Sequence, residues 1–315
     1  MNDFMKAMLY KSPSAIPVSV SILPAAWMKY GDALAEIVEH HPGIFSNFNR
    51  DNLDYASKPP SYHAGRFVDA WGCIWENIRE GYESIVTGHP VSNREDILDL
   101  KIPDIDIGLP HGFMYLRLAD LRGFEEFMID IAEEAPELSI LIDKVLQYNI
   151  RQIKILLEAN KDDVLYFGDD LGTQHALPMS PSKWRKYIKP CYKKLYDLVH
   201  NNDRYVYMHT DGCIHEIIPD LIECGVNIIN PQIGANGLNN LERVCKGKVC
   251  INLDLDRQKF PYFTPAQIDE HVQEAVARLY LPEGGLMLTA ECAADIPLEN
   301  IEAICVALEK YRVYK

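Results

Sequence analysis

The residues best suited to chemistry lie in one short stretch, His209-Thr210-Asp211-Gly212-Cys213. It follows Arg204 to Met208, an aromatic and β-branched run that reads as a strand. It precedes Ile214 to Leu221, whose apolar residues fall at helical spacing. In an extended chain residues i and i+2 project to the same side, so His209 and Asp211 can face one point at a strand's carboxyl end. An imidazole and a carboxylate aimed together begin a metal site. By themselves the same two residues also fit a hydrogen-bonded histidine and a helix-capping aspartate, so the weight falls on what surrounds them.

The elements that must hold these residues are legible from residue 113 onward. Strand-like runs are 113–118, 164–168, 204–208, 226–229, 248–252 and 286–289, with helical patterns at 123–132, 136–159, 181–200, 214–224, 238–245, 265–280 and 298–311 between and after them. Ser180-Pro181 and Thr264-Pro265 mark helix starts, a cap residue followed by proline in the first turn. Short apolar strands alternating with helices argue for a parallel sheet. About eight such units in one undivided chain favour a (β/α)8 barrel over an open doubly wound sheet, and no GxGxxG follows the first strand. The first 110 residues are the least regular: a strand at 18–23, a helix at 26–40, then a Gly/Asp/Trp-rich passage around Asp69, Trp71 and Trp75 that reads as a ligand wall or as core. The whole, 1–315, reads as a single barrel domain whose 1–110 part contributes to the active-site wall.

In such a barrel chemistry collects where strands end. Those ends carry Asp169, Asp170 and Gln174; His209 and Asp211; Asn230 and Gln232; Asp254 and Asp256; and Glu291 and Cys292. So many acids cannot ionise side by side unless a cation, a proton or water relieves the repulsion. The other histidines, including His111, are taken as structural or solvated, with His175 the strongest exception.

Bulk composition narrows the partners. The 315 residues carry a net charge of −15, which argues against nucleic acid and against an anionic membrane surface. No signal peptide or long apolar run is seen, so a cytoplasmic location is expected. Eight cysteines without CxxC pairs fit buried thiols, one of them at most a ligand.

With the strand ends read, the chain resembles the uroporphyrinogen decarboxylase-like superfamily, whose members include corrinoid-dependent methyltransferases. The resemblance covers most of the chain. It is carried by GDDLGTQ with SPSKWRKYIKPCYKKLYDLVH (168–200), HTDGCIHEIIPDLIECGVNIINPQ (209–232), NLDLDRQ (252–258) and EGGLMLTAECAADIPLENIEAIC (283–305). It implies an α/β fold of the (β/α)8 type with an N-terminal extension. Decarboxylases of the family carry an early RQAGRY-type segment, whereas IPVSVSILPAAWMKYG (16–31) has no arginine and HAGRF (63–67) falls later. An octa-anionic tetrapyrrole is therefore a poor substrate.

Thiol-directed methyltransferases of the family hold zinc on His-x-Cys and a distant Cys. This chain keeps His209, has Asp211 in place of that Cys, and offers Glu291 and Cys292 side by side further on. Carboxylate in place of thiolate hardens the site and suits a Lewis acid acting on oxygen. The resemblance thus implies Zn2+ on His209, Asp211 and Glu291, with Cys292 as the rival ligand. The expected reaction moves a methyl group from an O-methyl donor, a methoxylated aromatic, to the cobalt of a corrinoid (cobalamin) on a partner protein. Asp169, Asp170 and Asp256 would supply protons or orient ring hydroxyls; Asp69, Trp71, Trp75, Gln174 and Gln232 would bind substrate. The partners expected are the corrinoid protein and a small methyl donor, with a homodimer left open. The alternatives are a decarboxylase, a methylcobalamin:thiol methyltransferase, and a corrinoid or tetrapyrrole binder without turnover.

Overall fold

The computed structural model describes residues 1–55, 57–105, 108–159 and 161–314. The chain builds two compact units from interleaved stretches: Met1–Ala64, Asn77–Ser84 and Pro231–Lys315 in the first, Gly65–Glu76 and Ile85–Asn230 in the second. Its strands are β1 (Val18–Ile22), β2 (Gly65–Val68), β3 (Ile74–Asn77), β4 (Ile85–Gly88), β5 (Val164–Gly168), β6 (Tyr205–Thr210), β7 (Ile228–Pro231), β8 (Cys250–Asp254) and β9 (Leu286–Cys292).

In the first unit β1, β9 and β8 lie side by side and parallel, Ser21 opposite Glu291 and Asp254 opposite Thr289. The five residues of β8 are all buried, as expected for a parallel strand covered on both faces. The Pro265–Leu279 helix opens on a complete capping box between Thr264 and Gln267, and it packs on the Leu298–Tyr311 helix. The pattern at 26–40 forms two helices, Pro24–Tyr30 and Asp32–His40, because Gly31 adopts φ +50° between them.

In the second unit β5 pairs with β6 in parallel, Tyr166 opposite Tyr207 and Gly168 opposite His209. Alternation sorts their side chains. Phe167 and Met208 turn toward the Lys189–His200 helix, where the Phe167 and Tyr196 rings meet edge to face at 5.1 Å and the Tyr196 hydroxyl lies 3.2 Å from the Met208 sulfur. Tyr166 and Gly168 of β5, with Tyr205, Tyr207 and His209 of β6, take the opposite face. The pattern at 181–200 breaks into helices Pro181–Tyr187 and Lys189–His200, since Pro190 has no N–H for the Lys186 carbonyl.

Two expectations are corrected here. The run 113–118 is not a strand; Tyr115–Arg122 is a helix. A short apolar run carries no period that separates strand from helix, and the buried carboxylate of Asp169 decides it. That carboxylate accepts the N–H groups of Met114 (3.2 Å), Tyr115 (2.5 Å) and Leu116 (2.9 Å), the donors that a helix start leaves open. The passage around Asp69, Trp71 and Trp75, for which no strand is expected, instead carries β2 and β3 of a three-stranded sheet in the order β2, β3, β4, with β3 and β4 antiparallel. Among the described residues six strands, β1 and β5 to β9, carry the α/β pattern.

Candidate metal centre

Parallel pairing brings the ends of β5 and β6 level and sets up the site. The Asp169 N–H donates to the His209 carbonyl (3.1 Å) and the Asp211 N–H to Asp170 Oδ1 (3.0 Å). The two following loops are then locked together. The Leu171 N–H donates to Thr210 Oγ1 (3.1 Å), that of Gly172 to the Asp211 carbonyl (3.2 Å) and that of Cys213 to the Thr173 carbonyl (2.7 Å). Gly172 and Gly212 meet backbone to backbone; a Cβ on Gly212, at φ +85°, would sit 2.2 Å from the Gly172 carbonyl oxygen.

On this frame three side chains converge. His111 Nε2 lies 3.1 Å from Asp170 Oδ2, and His209 Nε2 lies 3.9 Å from Asp170 Oδ1. The two imidazole rings stand 5.5 Å apart. One donor atom from each of His111, Asp170 and His209 falls within 4.8 Å of the others. Asp211 adds a carboxylate oxygen 3.3 Å from His209 Nε2. His111 reaches the group because Gly112 donates its N–H to the Gly168 carbonyl (2.8 Å) and because Gly168 has no side chain. A Cβ there would lie 2.6 Å from His111 Nδ1.

The electrostatics follow from this packing. Burial alone would lower the His209 imidazole, but Asp211, Asn230 and Asp170 outweigh it and push it up to about 9. His111 is also raised, its burial outweighed by Asp170, and Asp170 is lowered by His111 despite burial. The group is built to hold positive charge. His209 Nδ1 contacts Asn230 Oδ1 at 2.7 Å, so with its proton on Nδ1 the ring presents the Nε2 lone pair to the cluster. Two imidazoles and a carboxylate are a donor set that zinc takes in catalytic sites, leaving a fourth position open.

The expected site residues fall as follows. His209, Asp211 and Asp170 come together. Asp169 does not join them: it is fully buried, its oxygens taken by the three N–H groups and by the Tyr192 hydroxyl (2.5 Å), and burial pushes it up to about 6. Asp69 organises the β2–β3 turn, accepting from the Trp71 and Cys73 N–H groups (2.9 Å each), Trp75 Nε1 (3.0 Å) and Arg117 (2.6 Å). Trp71 is 4% exposed and packs edge-on against Tyr148; Trp75 stacks on Phe67 at 6.0 Å. Gln174 is exposed on the loop after β5.

Four expected residues belong to the other unit. Glu291 is ion-paired with Arg257. Cys292 is fully buried, and burial pushes its thiol up to about 12. Asp256 is buried, its carboxylate 3.0 Å from Lys259 Nζ, and Gln232 bridges in register to Asp254. The residue that sequence reading passed over is His111. Its setting, Pro110-His111-Gly112, carries only the faint signal of a histidine held between two turn residues.

Fold and site together define an α/β protein whose polar residues gather at the ends of parallel strands. The uroporphyrinogen decarboxylase (URO-D) family profile matches residues 114–311, and the chain belongs to that family. The fold is accordingly the family's (β/α)8 barrel type, preceded by an N-terminal extension. A methyltransferase from Methanosarcina mazei shares it, with 18% identity, 98% of each chain covered and a TM-score of 0.65. A B12-independent methionine synthase from Shewanella sp. W3-18-1 is more distant, at 13% identity over 72% of this chain and 67% of that one, TM-score 0.37. No curated protein sequence matches the chain. Among the described residues no helix is long and apolar enough to cross a membrane.

Proposed function

We propose that the chain is a methyltransferase that takes the methyl group of a methoxylated aromatic compound and passes it to the cobalt of a corrinoid on a partner protein. Membership of the family and the shared fold of a protein named as a methyltransferase support the class of reaction. One observation carries the site: His111, Asp170 and His209 converge within 4.8 Å. These three would hold Zn2+, with Asp211 as the neighbouring carboxylate. Glu291, paired with Arg257, and Cys292, a buried thiol, are left out of the ligand set. Bound there, zinc would supply a Lewis acid for the ether oxygen.

The remaining work falls to the chain itself. As reduced cobalt takes the methyl carbon, the C–O electron pair passes to oxygen, and a phenolate leaves poorly unless that charge is met. Asn230 fixes the His209 ring, and Asp170 ties both imidazoles by one carboxylate. Asp211 sets a further carboxylate oxygen 3.3 Å from His209 Nε2, beside the three donors. Hard nitrogen and oxygen donors favour an oxygen-bound methyl over a thiol acceptor.

Two measurements test the reading together: zinc content of the purified protein, and methyl transfer from 2-methoxyphenol to free cob(I)alamin followed by loss of the cob(I)alamin absorbance. His209→Ala and His111→Ala should lose both zinc and transfer. A variant that transfers methyl at the wild-type rate without metal would refute the assignment.

A further inference from the structure

The strand face that carries the metal centre also carries an aromatic step. Tyr166 and Tyr207 stand opposite each other on β5 and β6, two residues before Gly168 and His209. Their rings lie 4.8 Å apart, tilted by 40°. Parallel strands covered on both faces bury their aromatic residues, yet Tyr166 is 60% exposed and Tyr207 is half-buried. On the other face of the same strands Phe167 and Met208 are sealed against the Lys189–His200 helix. Exposure on these two strands is therefore one-sided. The open side is the one on which His209 and Asp170 present their donors.

We infer that Tyr166 and Tyr207 form the ring subsite, so that the site selects aryl methyl ethers over non-aromatic methyl donors. The inference rests on the methyl-transfer reading and adds to it the residues that choose the donor. A two-residue step along a strand is about 6.6 Å, roughly the length of a phenyl ring with its ether oxygen. An arene whose oxygen is held at the His209 level thus brings its ring down to the level of Tyr207 and Tyr166. Offset or edge contact between aromatic rings adds to simple area burial, whereas a methyl donor without a ring gains nothing from these residues. Trp71 and Trp75 leave this role open, one buried against Tyr148 and the other tied to Asp69 and stacked on Phe67.

The test is direct binding of 2-methoxyphenol to the zinc-loaded full chain, measured by calorimetry and, independently, by ligand-observed NMR, with methanol as the ring-free probe. Tyr166→Ala and Tyr207→Ala should each weaken 2-methoxyphenol binding about fivefold or more. Tyr166→Phe and Tyr207→Phe, which keep the ring, should stay within about twofold. Zinc content and the response to methanol should not move in any of them. If the alanine variants bind 2-methoxyphenol as the wild type does, or if the wild type binds it no better than methanol, the subsite is wrong. Ring-dependent binding without methyl transfer would instead leave the subsite standing and remove the reaction proposed for it.

Discussion

A single carboxylate, Asp170, holds two imidazoles, and the amide of Asn230 orients one of them. Removing a partner of that kind costs a metal site about 10- to 100-fold in affinity. Asn230→Ala should therefore lower zinc affinity by about that factor, read in competition with a chromophoric chelator, while the fold persists. An unchanged affinity would show that the His209 ring is held by other means. A different carboxylate reports on stability. Burial pushes Asp120 up to about 6, with Arg117 pulling the other way. The unfolded group titrates near 4, so between about pH 4 and about pH 6 the folded chain keeps a proton that the unfolded chain has lost. Stability therefore falls as pH rises through that window, and below it the group contributes nothing. Asp120→Asn should stabilise the protein by on the order of 1–2 kcal/mol at about pH 7 and leave it unchanged at about pH 3.5, as judged by urea midpoints. A gain of equal size at both pH values would point to packing instead.

Two glycines separate positioning of the site from stability of the strand-end loops. Gly168 has no positive φ, so its backbone accepts alanine, but the added carbon would press on His111 Nδ1. Gly168→Ala is expected to fold normally and lose about tenfold or more in zinc affinity. Gly212 lies at φ +85° against the Gly172 backbone, where nothing can yield. Gly212→Ala should cost about 2 kcal/mol or more, seen as a lower thermal midpoint even in metal-free protein. Equal effects of the two changes on melting would mean that the His111 seat and the loop crossing are not distinct. The same scale explains the misread run 113–118. Its residues have no decisive period, and the donors of the Tyr115–Arg122 helix are claimed by a carboxylate some fifty positions away, Asp169.

For the whole molecule, a net charge of −15 sets the chain against polyanionic substrates unless arginines gather locally. The protein should release no carbon dioxide from uroporphyrinogen, with or without zinc; measurable release would restore the decarboxylase alternative. What the order of residues determined by itself was everything governed by near neighbours. That includes the β/α alternation, the proline-marked helix starts at Ser180 and Thr264, and the gathering of polar residues after each strand. Period and capping depend on residues a few positions apart, so they can be read without a fold. His209, Asp170 and Asp211 could be placed for that reason, each standing at the end of a recognisable strand, although Asp170 reads there as a proton source or a partner of ring hydroxyls rather than as a companion of the imidazole. His111 was not, because its role depends on a bare Gly168 and on the shared carboxylate of Asp170, both distant in the chain. The retirement of Asp169 to a helix start, the pairing of Glu291 with Arg257 and the burial of Cys292 were likewise decided in three dimensions. Sequence can place a donor at a strand end, but only packing settles which donors are left to meet and which are already taken.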